Sequence, residues 1–183
     1  MFRCLVATAA AVAATFSAFP ASAQVSPDAV PVRTQVISIS PLAAVFGIYT
    51  GEYERRFSES ISGVIGVSYW SFGDTDDNLT FSVVDAKARF YPAGTALERF
   101  SIGGIVGFTN FAARGGFNGE PSRESVNALN AGIDLNYHWL MGTNNNFFVG
   151  TGVGAKRLFF LGGDSEGITG YLPTGRIAVG YAF

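Results

Sequence analysis

Apolar and polar residues alternate one by one along much of this chain, most clearly from Leu129 to Trp139. Leu129, Ala131, Ile133, Leu135, Tyr137 and Trp139 fall on one face there, and Asn130, Gly132, Asp134, Asn136 and His138 on the other. A helical period of about 3.6 cannot make that split, and an extended strand makes it automatically. The chain end repeats it, with Ile177, Val179, Tyr181 and Phe183 against Arg176, Ala178, Gly180 and Ala182. Val84, Ala86, Ala88 and Phe90 oppose Asp85, Lys87, Arg89 and Tyr91. Phe147, Val149, Thr151, Val153 and Ala155 oppose Phe148, Gly150, Gly152, Gly154 and Lys156. Two further strands, Ile61 to Phe72 and Phe100 to Phe111, alternate less sharply.

The connections between these stretches are alternately short and long. Short ones fall near Ser58 to Ser60, Pro92 to Glu98 and Thr143 to Asn145, and longer ones near Gly73 to Asn78, Arg114 to Ser125 and Leu161 to Tyr171. Transmembrane barrels place tight periplasmic turns and longer outer loops in that order. Counting back from a last strand that ends in the periplasm, Ile48 to Phe57 runs downward. An even total then needs one earlier upward strand, for which Thr34 to Ile39 is the candidate. Pro41 breaks the chain between them, since proline cannot donate to a ladder, and little room is left there for two full strands and a turn. The expectation is an all-β fold, a closed antiparallel up-and-down transmembrane β-barrel of eight strands spanning residues 34–183.

Ahead of the barrel, Arg3 precedes an apolar run from Cys4 to Phe19 and then Ala21-Ser22-Ala23, the three parts of a secretory signal. Residues 1–23 read as a cleaved signal peptide and 24–33, with two prolines and no periodicity, as an extended lead-in. The apolar run is shorter than the roughly 20 residues a spanning helix needs. Cys4 is the chain's one cysteine and stands at the start of that run, where it does not fit a lipid-anchor site, so the mature chain has neither thiol nor disulfide. Losing Arg3 and no acid turns 12 bases and 14 acids into 11 and 14, a net charge of −3, with no basic patch for nucleic acid. Hydropathy is high although no run is long enough for a spanning helix, which again means apolar residues spread by alternation.

A lipocalin-type barrel would turn its apolar face inward. Here the larger apolar set opposes small, polar and ionised residues, and glycines at 103, 107, 132, 150, 152 and 154 suit a narrow lumen with few large side chains. Phe57, Phe90, Tyr137, Trp139, Tyr181 and Phe183 come near the inferred periplasmic ends, where an aromatic girdle belongs. The alternative is a soluble antiparallel sandwich, whose strands also alternate. The closing Arg176-Ile-Ala-Val-Gly-Tyr-Ala-Phe183 resembles the terminal signal of bacterial outer-membrane proteins, and the resemblance implies that Tyr181 and Phe183 are read by the barrel-assembly machinery. As a whole the chain resembles the small eight-stranded barrels of the OmpA transmembrane-domain and OmpX type. Gly51 to Phe57 and Ala86 to Pro92 also resemble, more weakly, a family of uncharacterised bacterial barrel proteins. Those resemblances imply an outer-membrane location, contact with membrane lipid and lipopolysaccharide, and a structural or surface-interaction role. No peptidoglycan-binding domain follows Phe183 in this sequence, a departure from full-length OmpA.

With these phases, Glu52, Glu54, Arg56, Asp85, Lys87, Arg89, Asp134, His138, Lys156 and Arg176 point into the lumen. Glu52, Asp85, Asp134 and Arg176 lie at similar distances from the periplasmic ends of their strands. A confined ion without a partner carries a desolvation cost of several kcal/mol, so a network of paired charges plugging the lumen is expected. A narrow channel is the sharper alternative. A lipid-modifying enzyme would need His138, the single histidine, as its base, with a serine and a carboxylate beside it; His138-Trp-Leu140 lacks a serine two residues on and faces inward near the periplasmic end. No enzymatic activity, metal or cofactor is therefore expected. Asp74-Thr-Asp-Asp-Asn78 lacks the glycine and glutamate of a calcium loop. Gly150-Thr-Gly-Val-Gly154 lies inside a strand and lacks dinucleotide-site spacing, and Asn78-Leu-Thr80 is a three-residue glycosylation match only. The loops 114–125 and 161–171, which carry charges of both signs, are left as the surface for an unnamed ligand.

Overall fold

A computed structural model describes residues 32–73, 78–117, 120–161 and 169–183. The signal segment 1–23, nearly all of the lead-in, the acidic run 74–77 and residues 162–168 of the last long loop lie outside the described residues.

Eight strands, β1 Gln35–Ile39, β2 Ile48–Arg56, β3 Ile61–Gly73, β4 Asn78–Phe90, β5 Arg99–Phe117, β6 Glu120–Met141, β7 Phe147–Leu161 and β8 Thr169–Ala182, pair antiparallel with their sequence neighbours. β1 also pairs with β8, closing the barrel. The crowded join before Tyr49 is solved by shortening β1. A one-turn helix, α1 Pro41–Val45, fills the gap with Pro41 in its first turn, where a missing N–H costs nothing. Gly47, at φ +76°, then turns the chain back into β2, a conformation that a Cβ would oppose.

The faces follow the alternation. Val106 and Ile133 stand 61% and 62% exposed on the outer surface, whereas Asn130, Asp134, Asn136 and His138 are buried inside. β3 and β5 alternate weakly because several of their inward positions are also apolar: Val64 and Ile105 are buried in the lumen, and Trp70 and Phe111 line its upper part. Large inward side chains are therefore more numerous than the glycine pattern suggested.

The expected long loop Arg114 to Ser125 is mostly strand. β5 and β6 continue in register to Phe117↔Glu120, because a ladder is held by backbone hydrogen bonds and persists past the last apolar residue when both strands are in step. This hairpin is the tallest part of the wall.

The opposite end of the barrel is stoppered. The β4–β5 turn folds back under the lumen, with Tyr91 N–H donating to Ser60 O at 2.8 Å and Ala96 N–H to Glu59 O at 2.7 Å. That places Leu97, fully buried, in an apolar cluster with Val36, Phe148, Ala178 and Ala182. Leu97 reaches it at φ +78°, a strained value for a side-chain-bearing residue that the surrounding packing must hold.

Candidate functional site

The lumen is built from residues that face inward on six of the strands. Glu52 and Glu54 come from β2, Asp85, Lys87 and Arg89 from β4, Asp134 and His138 from β6, Lys156 from β7 and Arg176 from β8, while β3 supplies Ser62. Each long side chain lies across a neighbouring strand, which requires that strand to be low at that point. The register provides it: Asp85 pairs with Gly107, Asp134 with Gly103 and Lys156 with Gly132. A Cβ at Gly103 or Gly107 would overlap the facing carboxylate.

Arg89 is the centre. Its guanidinium, 1% exposed, lies 2.5 Å from Glu54, 3.4 Å from Glu52 and 3.5 Å from Asp134. Glu52 also takes Lys87 at 2.5 Å and Arg176 at 2.8 Å. Lys87 approaches Asp134 at 3.8 Å, and Lys156 pairs with Asp85 one layer above. Four bases thus meet four acids, and the plug is electrically balanced. Balance matters because the interior repays desolvation only through close opposite charge.

Arg56 is the exception among the inward charges inferred from sequence. It sits at the rim, where its Nε donates to Ser58 O at 3.1 Å, and the structure does not bring it into the network. It is the last residue of β2, two positions nearer the barrel end than Glu54.

His138 is held from both sides. Arg176 Nη1 lies 3.1 Å from its Nε2, and Tyr91 OH lies 3.1 Å from its Nδ1. Arginine has no acceptor, so Nε2 accepts and the ring proton resides on Nδ1. Nδ1–H then donates to Tyr91, whose hydroxyl donates to Glu54 at 2.5 Å, where Ser62 Oγ also donates at 2.5 Å. The result is a directed chain from Arg176 through His138 and Tyr91 to Glu54, with both imidazole nitrogens engaged. Tyr91 was not among the network residues inferred from sequence. Its inward phase after Arg89 was the available signal.

Above the plug the lumen widens into a cavity of about 440 Å³, open toward the loop end. Its floor includes Asp85, Lys156 and Arg176, and its walls include Trp70, Phe81, Phe111 and Leu172. Trp70, Phe81 and Phe111 are successive register partners on β3, β4 and β5. Phe81 and Phe111 meet as tilted rings at 5.0 Å, and Phe160 of β7 reaches Phe111 at 5.9 Å over the buried Ala128. Sequence reasoning missed this shelf, because its members are scattered over four strands and fall into line only through the register.

On the outside, the apolar stripe begins at the turn end with Ile61, Phe90, Phe100 and Phe147. About ten residues later it gives way to Ser71, Thr80 and Asn110 on β3, β4 and β5, while on β7 it is interrupted by Arg157 and ends with Phe159 and Leu161. At about 3.3 Å per residue and a tilt near 40°, ten residues rise about 25 Å. Arg157, at this boundary, lies over the rings of Phe159 and Tyr171 at 5.1 and 5.8 Å. Tyr181 and Phe183 lie at the other boundary, stacked on each other at 6.4 Å.

An up-and-down eight-stranded barrel with an apolar exterior and an ion-filled core is the architecture of small transmembrane barrels. Solved structures agree on the fold. The N-terminal β-barrel domain of Pseudomonas aeruginosa OprF superposes with a TM-score of 0.50 at 17% identity, covering 82% of this chain and 98% of that one. Ail, the attachment invasion locus protein of Yersinia pestis, gives a TM-score of 0.51 at 15% identity, covering 82% and 94%. No protein-family model and no curated protein sequence matches the chain.

Proposed function

We propose that this protein resides in the bacterial outer membrane as a plugged β-barrel with a structural or surface-interaction role, reached after cleavage of residues 1–23. The observation that carries the proposal is the outer apolar band of about 25 Å, the height of the hydrocarbon-facing belt of outer-membrane barrels. Phe90, Phe100, Phe147, Tyr181 and Phe183 edge it on the turn side. In water such a surface would be a severe aggregation liability.

Within this reading the outer face contacts membrane lipid and lipopolysaccharide, and Tyr181 and Phe183 serve recognition by the assembly machinery. The balanced plug and the Leu97 stopper favour a closed lumen over a channel. His138 has a bonding role, since neither ring nitrogen is left for a substrate, and the protein acts without catalysis. The β5–β6 hairpin, which stands past the apolar band, is the natural surface for contact with a partner.

Fractionation of the expressed protein, with boiled and unboiled samples compared on a denaturing gel, tests the location and the closed barrel together. Recovery in the outer membrane with a heat-dependent mobility shift is expected. Soluble periplasmic recovery without a shift would overturn the proposal. Large stable conductance steps from the protein in planar bilayers would remove the plugged lumen alone.

A further inference from the structure

The aromatic shelf in the upper lumen is unexplained by the barrel. The charged plug below it needs polar neighbours, and the strand ladders need no side chains there at all. Yet Trp70, Phe81 and Phe111 stand half-buried around a cavity that opens to the loop end. Apolar walls maintained against a wet opening are the ordinary mark of a ligand pocket, and about 440 Å³ lies within the range of roughly 300–1,000 Å³ that such pockets occupy.

The floor sets the chemistry. Its carboxylates and cations already balance, so an ion entering from water would lose hydration and gain no net counter-charge. Unsatisfied hydrogen-bonding capacity does remain among the lining residues. Among the described residues, Asn136 Nδ2 and Arg176 Nε are buried donors, and Asp85 Oδ1 and Asp134 Oδ1 buried acceptors, without partners.

We propose that this vestibule binds a small amphipathic molecule without net charge, its aromatic or alkyl body against Trp70, Phe81 and Phe111 and a hydroxyl-type head, able both to donate and to accept, directed at the floor around Asp85, Asp134, Asn136 and Arg176. The barrel then displays a receptor-like pocket on its outer side while staying closed to passage. This inference rests on the barrel fold and on no particular surface partner.

The test uses three probes of matched shape in phosphatidylcholine nanodiscs: 4-bromobenzyl alcohol, 4-bromobenzoate and 4-bromobenzylammonium. A Trp139→Phe background leaves Trp70 as the single indole, and bromine quenches it on contact. Saturable quenching by the alcohol is expected, at least tenfold tighter than by either ion. Replacing Phe81 and Phe111 together with serine should weaken the alcohol at least tenfold. The heat-dependent mobility shift of every variant, read beside the titration, separates loss of the pocket from loss of the barrel. Quenching that rises linearly and equally with all three probes, preference for an ion, or indifference to the two serines would overturn the proposal. Should the double variant fail to fold, the charge ranking of the probes on the Trp139→Phe protein decides it alone.

Discussion

Replacing Arg89 by methionine removes the cation on which the plug converges while keeping most of its volume. Arg89 touches three carboxylates, but they do not suffer equally. Glu52 retains Lys87 and Arg176, and Asp134 retains Lys87. Glu54 pairs with no other cation among the described residues and is left with the hydroxyls of Ser62 and Tyr91. Stripping one partner from a buried ion pair costs about 3–5 kcal/mol. With one carboxylate stranded and two hydroxyls still donating to it, the lower end, about 3 kcal/mol, is expected. That is roughly a 150-fold loss in the folding equilibrium, and at a urea slope of about 2 kcal/mol per molar it moves the midpoint down by about 1.5 M. Reversible urea unfolding in lipid vesicles, followed by tryptophan fluorescence and by the gel shift, measures it. Adding Glu54→Gln to Arg89→Met removes the stranded charge and should recover at least about 1 kcal/mol, a coupling of the size expected for residues in contact. A midpoint shift below about 0.5 M, or a double variant worse than the single one, would refute the account of Arg89 as the keystone.

Three further outcomes are expected. Gly132→Ala should abolish or severely slow folding, because its Cβ would meet the backbone of Ala155 and Lys156, whereas Gly104→Ala, with open space outside the wall, should leave the gel shift unchanged. Val106→Arg, in the middle of the apolar band, should cost about 2–4 kcal/mol in the same urea assay, and Arg157→Val, at its edge, within about 1 kcal/mol; equal effects would misplace the band. Leu97→Ala should lower stability by about 2–4 kcal/mol by hollowing the stopper and raise the frequency of brief conductance events in planar bilayers, with unchanged silence counting against a sealing role.

Much of this barrel was legible because a closed sheet separates its outer surface from the lumen at every second residue, so a period of two carries both strand and face. That is why nearly every inward charge could be named from the sequence, His138 and Arg176 among them. Strand ends were less legible: β5 and β6 outrun their apolar residues, and nothing in the polar sequence from Arg114 to Ser125 distinguishes a paired hairpin from a loop. Which charges meet, and how Trp70, Phe81 and Phe111 form one wall, depend on shear between strands, a property of the whole sheet. The inward fold of the β4–β5 turn rests on a leucine in a conformation that leucine rarely adopts, which no propensity announces.

The unequal lengths of the strand pairings give the cylinder a definite weak line. β5 and β6 run together from Arg99↔His138 to Phe117↔Glu120, whereas β1 meets β8 only from Val36↔Ala182 to Ile39↔Val179. Without those few pairs two strand edges stand open, and in the proposed membrane setting no water would satisfy their amides. Closure of the whole cylinder thus hangs on a short suture between the first and last strands, the thinnest place in its wall.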